Sequence, residues 1–366
     1  MSMLFDGLAL GRLQLQNRII IAPMCQYSAV DGNAQDWHMI HLGNLALSGA
    51  GLLILEATAV SPEGRISPQD LGLYSDDNEL ALGRVLHAIR THSDMPLAIQ
   101  LSHAGRKGSS SAPWQGSAKI SPDTKGGWKT EAPSAVPHSV GDDIPTALDA
   151  EGLARVRSDF VLAARRSERL GLDGIEIHMA HGYLLHEFLS PLSNHRTDEY
   201  GGNLENRMRF PIDVFEAVKA AVSADLPVWV RISATDWVPG GWDIEGTLAL
   251  SKALKKRGCA AIHITSGGVS VNQEIKLSQG FQVPFAERVK AEIGLPTIAV
   301  GLIVEPKHAE DILQKGQADA IALARGILYD PRWPWHAAAK LGAQVNAPVQ
   351  YLRCQPRDLK SLFKES

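Results

Sequence analysis

Cysteine is scarce in this 366-residue chain: Cys25, Cys259 and Cys354 lie far apart. An odd count without close spacing argues against a disulfide framework, a zinc knuckle or an iron–sulfur ligand set. Charge of one sign is lacking as well. A formal net charge of -4 gives no reason to expect nucleic acid or an anionic membrane as partner. No apolar run approaches the length that spans a bilayer, and MSMLFDGLALGR lacks the charged start and long apolar core of a secretory signal. The cytoplasm is therefore the expected location. No G-x-G-x-x-G follows the first strong strand, which counts against a dinucleotide-binding Rossmann half.

What is present is the composition of an ordinary soluble globular protein, 45% hydrophobic and 21% charged. The length would allow two domains, but α/β barrels commonly reach it alone, so one domain over residues 1–366 is expected. Eight short Val/Ile/Leu-rich runs read as strands: RIIIAPM, LLILEATAV (52–60), LAIQLSH (97–103), the run opening at Gly174, VWVRIS (228–233), AIHITSG (261–267), TIAVG (297–301) and AIALARG (320–326). Amphipathic helical patterns lie between them. The one before the fourth strand carries Leu153, Val156, Phe160, Ala163, Ala164 and Leu170 and stops at Gly171; later ones stop near Gly258, Gly294 and Gly316. Strands with continuous apolar runs, alternating with helices, mean a parallel sheet covered on its outer face. Eight such units favour a closed (β/α)8 TIM barrel. Residues 4–17 read as a hairpin plugging its base. Residues 104–148, after the third strand, form a connection long enough to be a functional lid or a surface insertion. Residues 342–366 extend beyond the last barrel helix.

In a parallel barrel the strand ends face one pocket. The fourth strand delivers His178, with His181 and Tyr183 just beyond, so three groups able to donate hydrogen bonds or protons cluster there. Other strand ends supply Ala22, Pro23, Met24 and Cys25 with Tyr27 beyond, then Ala57, Gln100, Arg231, Gly301 and Arg325 after Ala324. Arg231 is a cation that would be costly to bury unpaired, so it serves either an anionic ligand or a neighbouring carboxylate. Cys25 is either a ligand contact or a small buried apolar group.

The run HMAHGYLLHEFLSPLSNHRTDEYGGNLENR resembles the signature of the old yellow enzyme family of FMN-dependent ene-reductases. That family has two ligand-binding residues, a Tyr two further on and a long NxRxDxYGGSxxNRxRF tail. Here the tail reads Asn194, Arg196, Asp198, Tyr200, Gly201, Gly202, Asn203, Asn206, Arg207, Arg209 and Phe210, with Asn203 where Ser is usual. Pro23-Met24-Cys25-Gln26-Tyr27 is similar to the PMCxY sequence of the bacterial, Cys-containing subclass, and that resemblance runs nearly the whole chain.

The resemblance implies FMN as cofactor, NADPH (or NADH) as reductant and an α,β-unsaturated carbonyl compound as small-molecule substrate. His178 and His181 would hold the carbonyl oxygen, Tyr183 would protonate the α-carbon, and Tyr27 would line the substrate site. Ala22, Pro23, Met24, Cys25, Ala57, Gln100 and Arg231 would surround the flavin ring. Gly301, Ala324 and Arg325 would hold its phosphate, where barrels usually bind one; the family normally has Gly-Arg at the position of Ala324-Arg325. The segment Ala347–Arg353 resembles the subclass's C-terminal APxQY-x-R. This implies a homodimer or dimer of dimers in which Arg353 enters the neighbouring subunit's site. Other readings are reduction of nitro compounds or quinones at the same flavin, and a metal-dependent barrel hydrolase built on His178, His181 and a carboxylate such as Glu56.

Overall fold

The computed structural model describes residues 2–364. A hairpin comes first, β1 (Leu8–Leu10) and β2 (Leu13–Leu15), turning at Gly11 against Pro227 and Ala260. Those two residues lead into later barrel strands, and Leu10 and Leu15 are buried, so the hairpin plugs the barrel's N-terminal end as expected.

The chain then runs β3 (Ile19–Ile21), α1 (Asp36–Ala46), β4 (Leu52–Ala59), α2 (Asp76–Arg90) and β5 (Leu97–Ser102). Two short strands, β6 (Glu131–Ala132) and β7 (Thr146–Ala147), pair in parallel within the long connection to α3 (Ala150–Arg169). After it come β8 (Gly174–Met179), α4 (Leu184–Leu189), α5 (Leu204–Ala221), β9 (Val228–Ser233), α6 (Ile244–Lys256), β10 (Ile262–Thr265) and α7 (Val283–Ile293). The remainder is β11 (Thr297–Ala299), α8 (Pro306–Gln314), β12 (Ala320–Leu323), α9 (Arg325–Tyr329) and α10 (Trp333–Leu341). β3, β4, β5, β8, β9, β10, β11 and β12 close into one barrel, all neighbours parallel. This is a (β/α)8 barrel. Its strands are buried from end to end, as apolar runs covered on both faces require. Among the described residues no helix is long and apolar enough to cross a membrane.

Two strands are shorter than the apolar runs suggest. β11 stops at Ala299 because Gly301 and Leu302 both turn to positive φ, 128° and 54°. β12 stops at Leu323; Ala324 leaves the extended conformation, and Arg325 and Gly326 begin α9. Helix starts follow side-chain chemistry. Asp149 accepts the Gly152 N–H at 2.8 Å, and Asn203 accepts the Asn206 N–H at 2.9 Å. Asn203 therefore caps α5 as a serine would, which explains why the signature tolerates it.

The rest of the signature run is scaffold. Arg196 donates to the Pro133 carbonyl (3.0 Å), Asn194 to Phe188 and Tyr200 (2.8 and 2.7 Å), Arg207 to Leu189 (2.9 Å) and Arg209 to Glu199 (2.8 Å). The Arg196 bond fastens the loop after α4 to the long connection after β5, and the others tie that loop to the end of α4 and to itself. That connection is not a decoration: its Trp114 packs edge-on against Tyr27 at 5.6 Å.

Candidate active site

β8 and β9 are in direct register at His178 and Arg231, so both side chains leave the sheet at the same level. The chain beyond β8 turns sharply. His181 and Gly182 take positive φ in succession, 59° and 71°, and this turn brings His181 and Tyr183 back onto His178. Both rings stand edge-on to His178, with centroids 5.1 Å away. His178 Nδ1 accepts the Ala180 N–H at 3.3 Å, which puts the ring proton on Nε2, 3.3 Å from His181 Nδ1. His181 then carries its proton on Nε2, 3.0 Å from the Thr265 hydroxyl, which donates to Gln282 Oε1 at 3.2 Å.

Burial, and next the Arg231 cation, holds both imidazoles well below the usual histidine range. Each is a neutral single donor. Burial, reinforced by Cys25, Tyr27 and Asp70, pushes the Tyr183 phenol well above its ordinary value, so it keeps its proton. The site thus pairs neutral hydrogen-bond donors with a held proton.

Arg231 is 7% exposed; among the described residues it has no carboxylate within ion-pair distance, and its Nε is buried without a partner. The nearby carboxylate, Glu176, is already occupied: Gln100 Nε2 (2.7 Å), Trp229 Nε1 (2.8 Å) and His263 Nδ1 (2.8 Å) surround it. A buried guanidinium without a protein acceptor calls for an anionic ligand. Gln100 faces this ligand site differently from the expectation of a free amide. One N–H of its nitrogen is committed to Glu176, which leaves its oxygen and the other N–H to offer.

The wall opposite is the segment after β3. Ala22 continues the ladder through its N–H to the Leu323 carbonyl (2.9 Å), and Pro23, Met24, Cys25 and Tyr27 are half-buried. Burial pushes the Cys25 thiol well up, and Asp70 and Glu56 add to this, so it is a neutral group and not a thiolate. Ala57, at an irregularity of β4, is close enough for its backbone to hydrogen-bond the thiol. Gly301 and Ala324 lie just past the ends of the adjacent strands β11 and β12, and the exposed Arg325 side chain has no ion pair among the described residues. Strand-end backbone turning at Gly301-Leu302, next to a free guanidinium, suits a phosphate.

Several residues of the site are not apparent from motifs. Lys107 bonds the carbonyls of His181 (2.8 Å) and Gly268 (3.0 Å) and lies 5.1 Å above the Tyr183 ring. Thr265 and Gln282 support His181, and Asp70 sits behind Tyr27. Polar residues in segments outside the signature carried no local signal. Glu56 does not join the histidines: it accepts the Gln26 N–H at 2.9 Å and lies 3.4 Å from His38. Among the described residues no group of three or more His, Cys, Asp or Glu is placed to hold a metal ion. Arg353 is on none of these walls. It is exposed in a 3-10 turn whose preceding residues pack beside 46–51 and 91–96, at the N-terminal end of the barrel.

An unpaired cation, two neutral imidazoles and a protonated phenol meet at the C-terminal mouth of a (β/α)8 barrel. Arg231, with the Gly301 and Arg325 region beyond it, meets what an anionic flavin mononucleotide requires. The chain belongs to the NADH:flavin oxidoreductase / NADH oxidase family, whose profile matches residues 3–344; it is an FMN-dependent oxidoreductase of the old yellow enzyme type. It is 41% identical over 354 residues to the NADPH dehydrogenase of Geobacillus thermodenitrificans (strain NG80-2), covering 96% of this chain and 98% of that one. Among solved structures it resembles morphinone reductase, with a TM-score of 0.77 and 28% identity over 100% of this chain and 94% of that one. A 2-naphthoyl-CoA reductase shares the fold, with a TM-score of 0.82 at 23% identity; the match covers 93% of this chain and 52% of that longer one.

Proposed function

We propose that this protein is an ene-reductase that uses NADPH to reduce the activated C=C bond of α,β-unsaturated carbonyl compounds. The observation that carries the reading is the triangle of His178, His181 and Tyr183 beside Arg231. When bound, FMN supplies the hydride that it has taken from the nicotinamide.

The chain's own residues do the rest. His178 and His181 are both neutral, and the carbonyl oxygen would replace His181 Nδ1 and the Thr265 hydroxyl as acceptor of their Nε2 protons, drawing electron density from the alkene. Tyr183 holds the proton destined for the α-carbon; a phenol is weakly acidic, but a developing enolate is basic enough to take it. Arg231, with the Gln100 oxygen beside it, would hold the pyrimidine edge of the ring and stabilise negative charge there. Ala22, Pro23, Met24, Cys25 and Ala57 would pack along the ring, and Gly301, Ala324 and Arg325 would take the phosphate. Tyr27, backed by Trp114, would bound the substrate. The name of its relatives, NADPH dehydrogenase, supports NADPH as donor.

The chain's own Arg353 lies at the far end of the barrel from these groups, which favours its acting in the site of a second copy of the chain. Pro348 and Tyr351 hold the segment to its own barrel. Tyr351 packs edge-on to Trp335 at 6.0 Å and under Arg332 at 5.6 Å, with part of its ring left exposed. The test is anaerobic reduction of the yellow protein by NADPH, followed by cyclohexenone. Bleaching and then enone-dependent recovery of colour, with cyclohexanone as product, is expected; recovery with oxygen but not with enones would overturn the reading.

A further inference from the structure

A second polar cluster lies behind the histidine turn, and the mechanism above does not use it. Gly182 donates its N–H to His186 Nδ1 at 2.8 Å. The His186 proton is therefore on Nε2, which lies 2.9 Å from Asp236 Oδ1, an ion-pair contact without hydrogen-bond alignment, so the aspartate favours that proton by its charge and proximity. The other carboxylate oxygen, Oδ2, accepts from the Ser190 hydroxyl (2.6 Å) and the Trp242 N–H (2.7 Å). His186, Asp236 and Ser190 have no exposed surface. The three residue types are those of a hydrolytic triad, but the serine bonds the aspartate and none of them can meet a substrate, so hydrolysis is excluded.

What the cluster does reach is the turn. His181 adopts positive φ (59°), a conformation that costs a non-glycine residue energy unless its surroundings hold it. Gly182 is wedged so tightly that a Cβ there would stand 2.1 Å from the Gly268 oxygen. The turn is gripped at three backbone groups: His181 N–H by Ser233 Oγ (2.9 Å), His181 C=O by Lys107 (2.8 Å) and Gly182 N–H by His186. Only the last grip depends on a tautomer.

We propose that Asp236 and His186 are a positioning pair: the aspartate fixes the tautomer of His186, whose Nδ1 locks the strained turn that aims His181 and Tyr183 at the substrate. The proposal rests on the substrate reading of His181. It follows that Asp236→Asn, which changes no volume, should be enough to break the lock. The new amide must keep its oxygen toward the two donors, Ser190 and Trp242, so its NH2 faces His186. The imidazole must then present a lone pair on Nε2 and carry its proton on Nδ1, directly against the Gly182 N–H. The same reasoning explains why a carboxylate, and not an amide, orients a catalytic histidine.

The experiment measures the dissociation constant of 4-hydroxybenzaldehyde from its long-wavelength absorption with the FMN-loaded protein, together with Gly182 amide exchange. Asp236→Asn should weaken the phenol by about tenfold to a hundredfold, the scale of a small misplacement, at normal FMN content and circular dichroism. His186→Asn, whose Oδ1 falls where Nδ1 lies, should keep most of the affinity; His186→Leu should lose it. Should Asp236→Asn not fold, the His186→Asn and His186→Leu pair decides. Unchanged affinity in Asp236→Asn, with His181→Ala clearly weakened, would overturn the proposal. If His181→Ala itself leaves phenol binding untouched, the substrate reading is what fails. Gly182 exchange then decides: acceleration in Asp236→Asn retains the positioning pair, and unchanged protection removes it.

Discussion

Arg231 and Glu176 lie on adjacent barrel strands, are both buried, and do not pair. Glu176 is satisfied by Gln100, Trp229 and His263, which leaves the guanidinium unspent and directed to the mouth. Had the two formed an ion pair, the barrel would have neutralised the cation that we propose holds the flavin.

Replacing Arg231 with Met should therefore act in opposite directions on the free and loaded protein. Without FMN the variant should melt at a higher temperature than wild type, because an unpaired buried charge has been removed. The rise in melting temperature on adding FMN should shrink. The two-electron potential of the bound flavin should fall, by about 30 mV for each 1.4 kcal/mol of lost hydroquinone stabilisation. Calorimetry with and without FMN, and a dye-equilibration titration, check both arms.

Tyr183→Phe should separate the two half-reactions. Flavin reduction by NADPH needs no proton from this residue and should stay near the wild-type rate. Reoxidation by a weakly activated enone should slow by up to about a hundredfold or more. Stopped-flow traces showing equal losses in both would give Tyr183 a structural role instead.

Asp70 provides a pH signature. Its carboxyl, buried behind Tyr27, is pushed up to about 7, chiefly by that burial. In the unfolded chain it would titrate near 3.9. Between those values the folded state binds more protons than the unfolded one. The contribution of this group is complete below about pH 4 and is lost as pH rises through 7. Asp70→Asn cannot titrate, so its melting temperature relative to wild type should climb from pH 5 to pH 8. A difference that stays level, or falls, across that range would contradict the protonated carboxyl.

Arg353 calls for complementation. In a mixed dimer of Arg353→Ala and His181→Ala chains, sharing across the interface puts both defects in one site and none in the other, so roughly half of wild-type activity should return. Activity of the isolated mixed species no better than the average of its parents would rule out the shared site.

The barrel was legible because its strands are continuous apolar runs and its helices end at glycines. The signature run marked the histidine turn. Element ends were less legible: Arg325 reads as the end of an apolar run, yet Ala324 breaks the strand and Arg325 opens α9. The buried partnerships were not legible at all. Glu176 meets His263 across 87 residues, and Lys107 reaches His181 across 74. Separations of that size leave no periodicity to read. They become visible only once the closed barrel sets β8 beside β9 and β9 beside β10.

The run that identifies this family has a consequence for how such chains diverge. Asn194, Arg196, Asn203, Arg207 and Arg209 cap a helix and tie loops together. Those side chains hold a loop architecture, whatever reaction takes place above it. A change at 178, 181 or 183, at the head of the run, would leave every one of these bonds in place. A search keyed to the tail from Asn194 to Phe210 therefore collects a scaffold, and the chemistry has to be read from the three residues ahead of it.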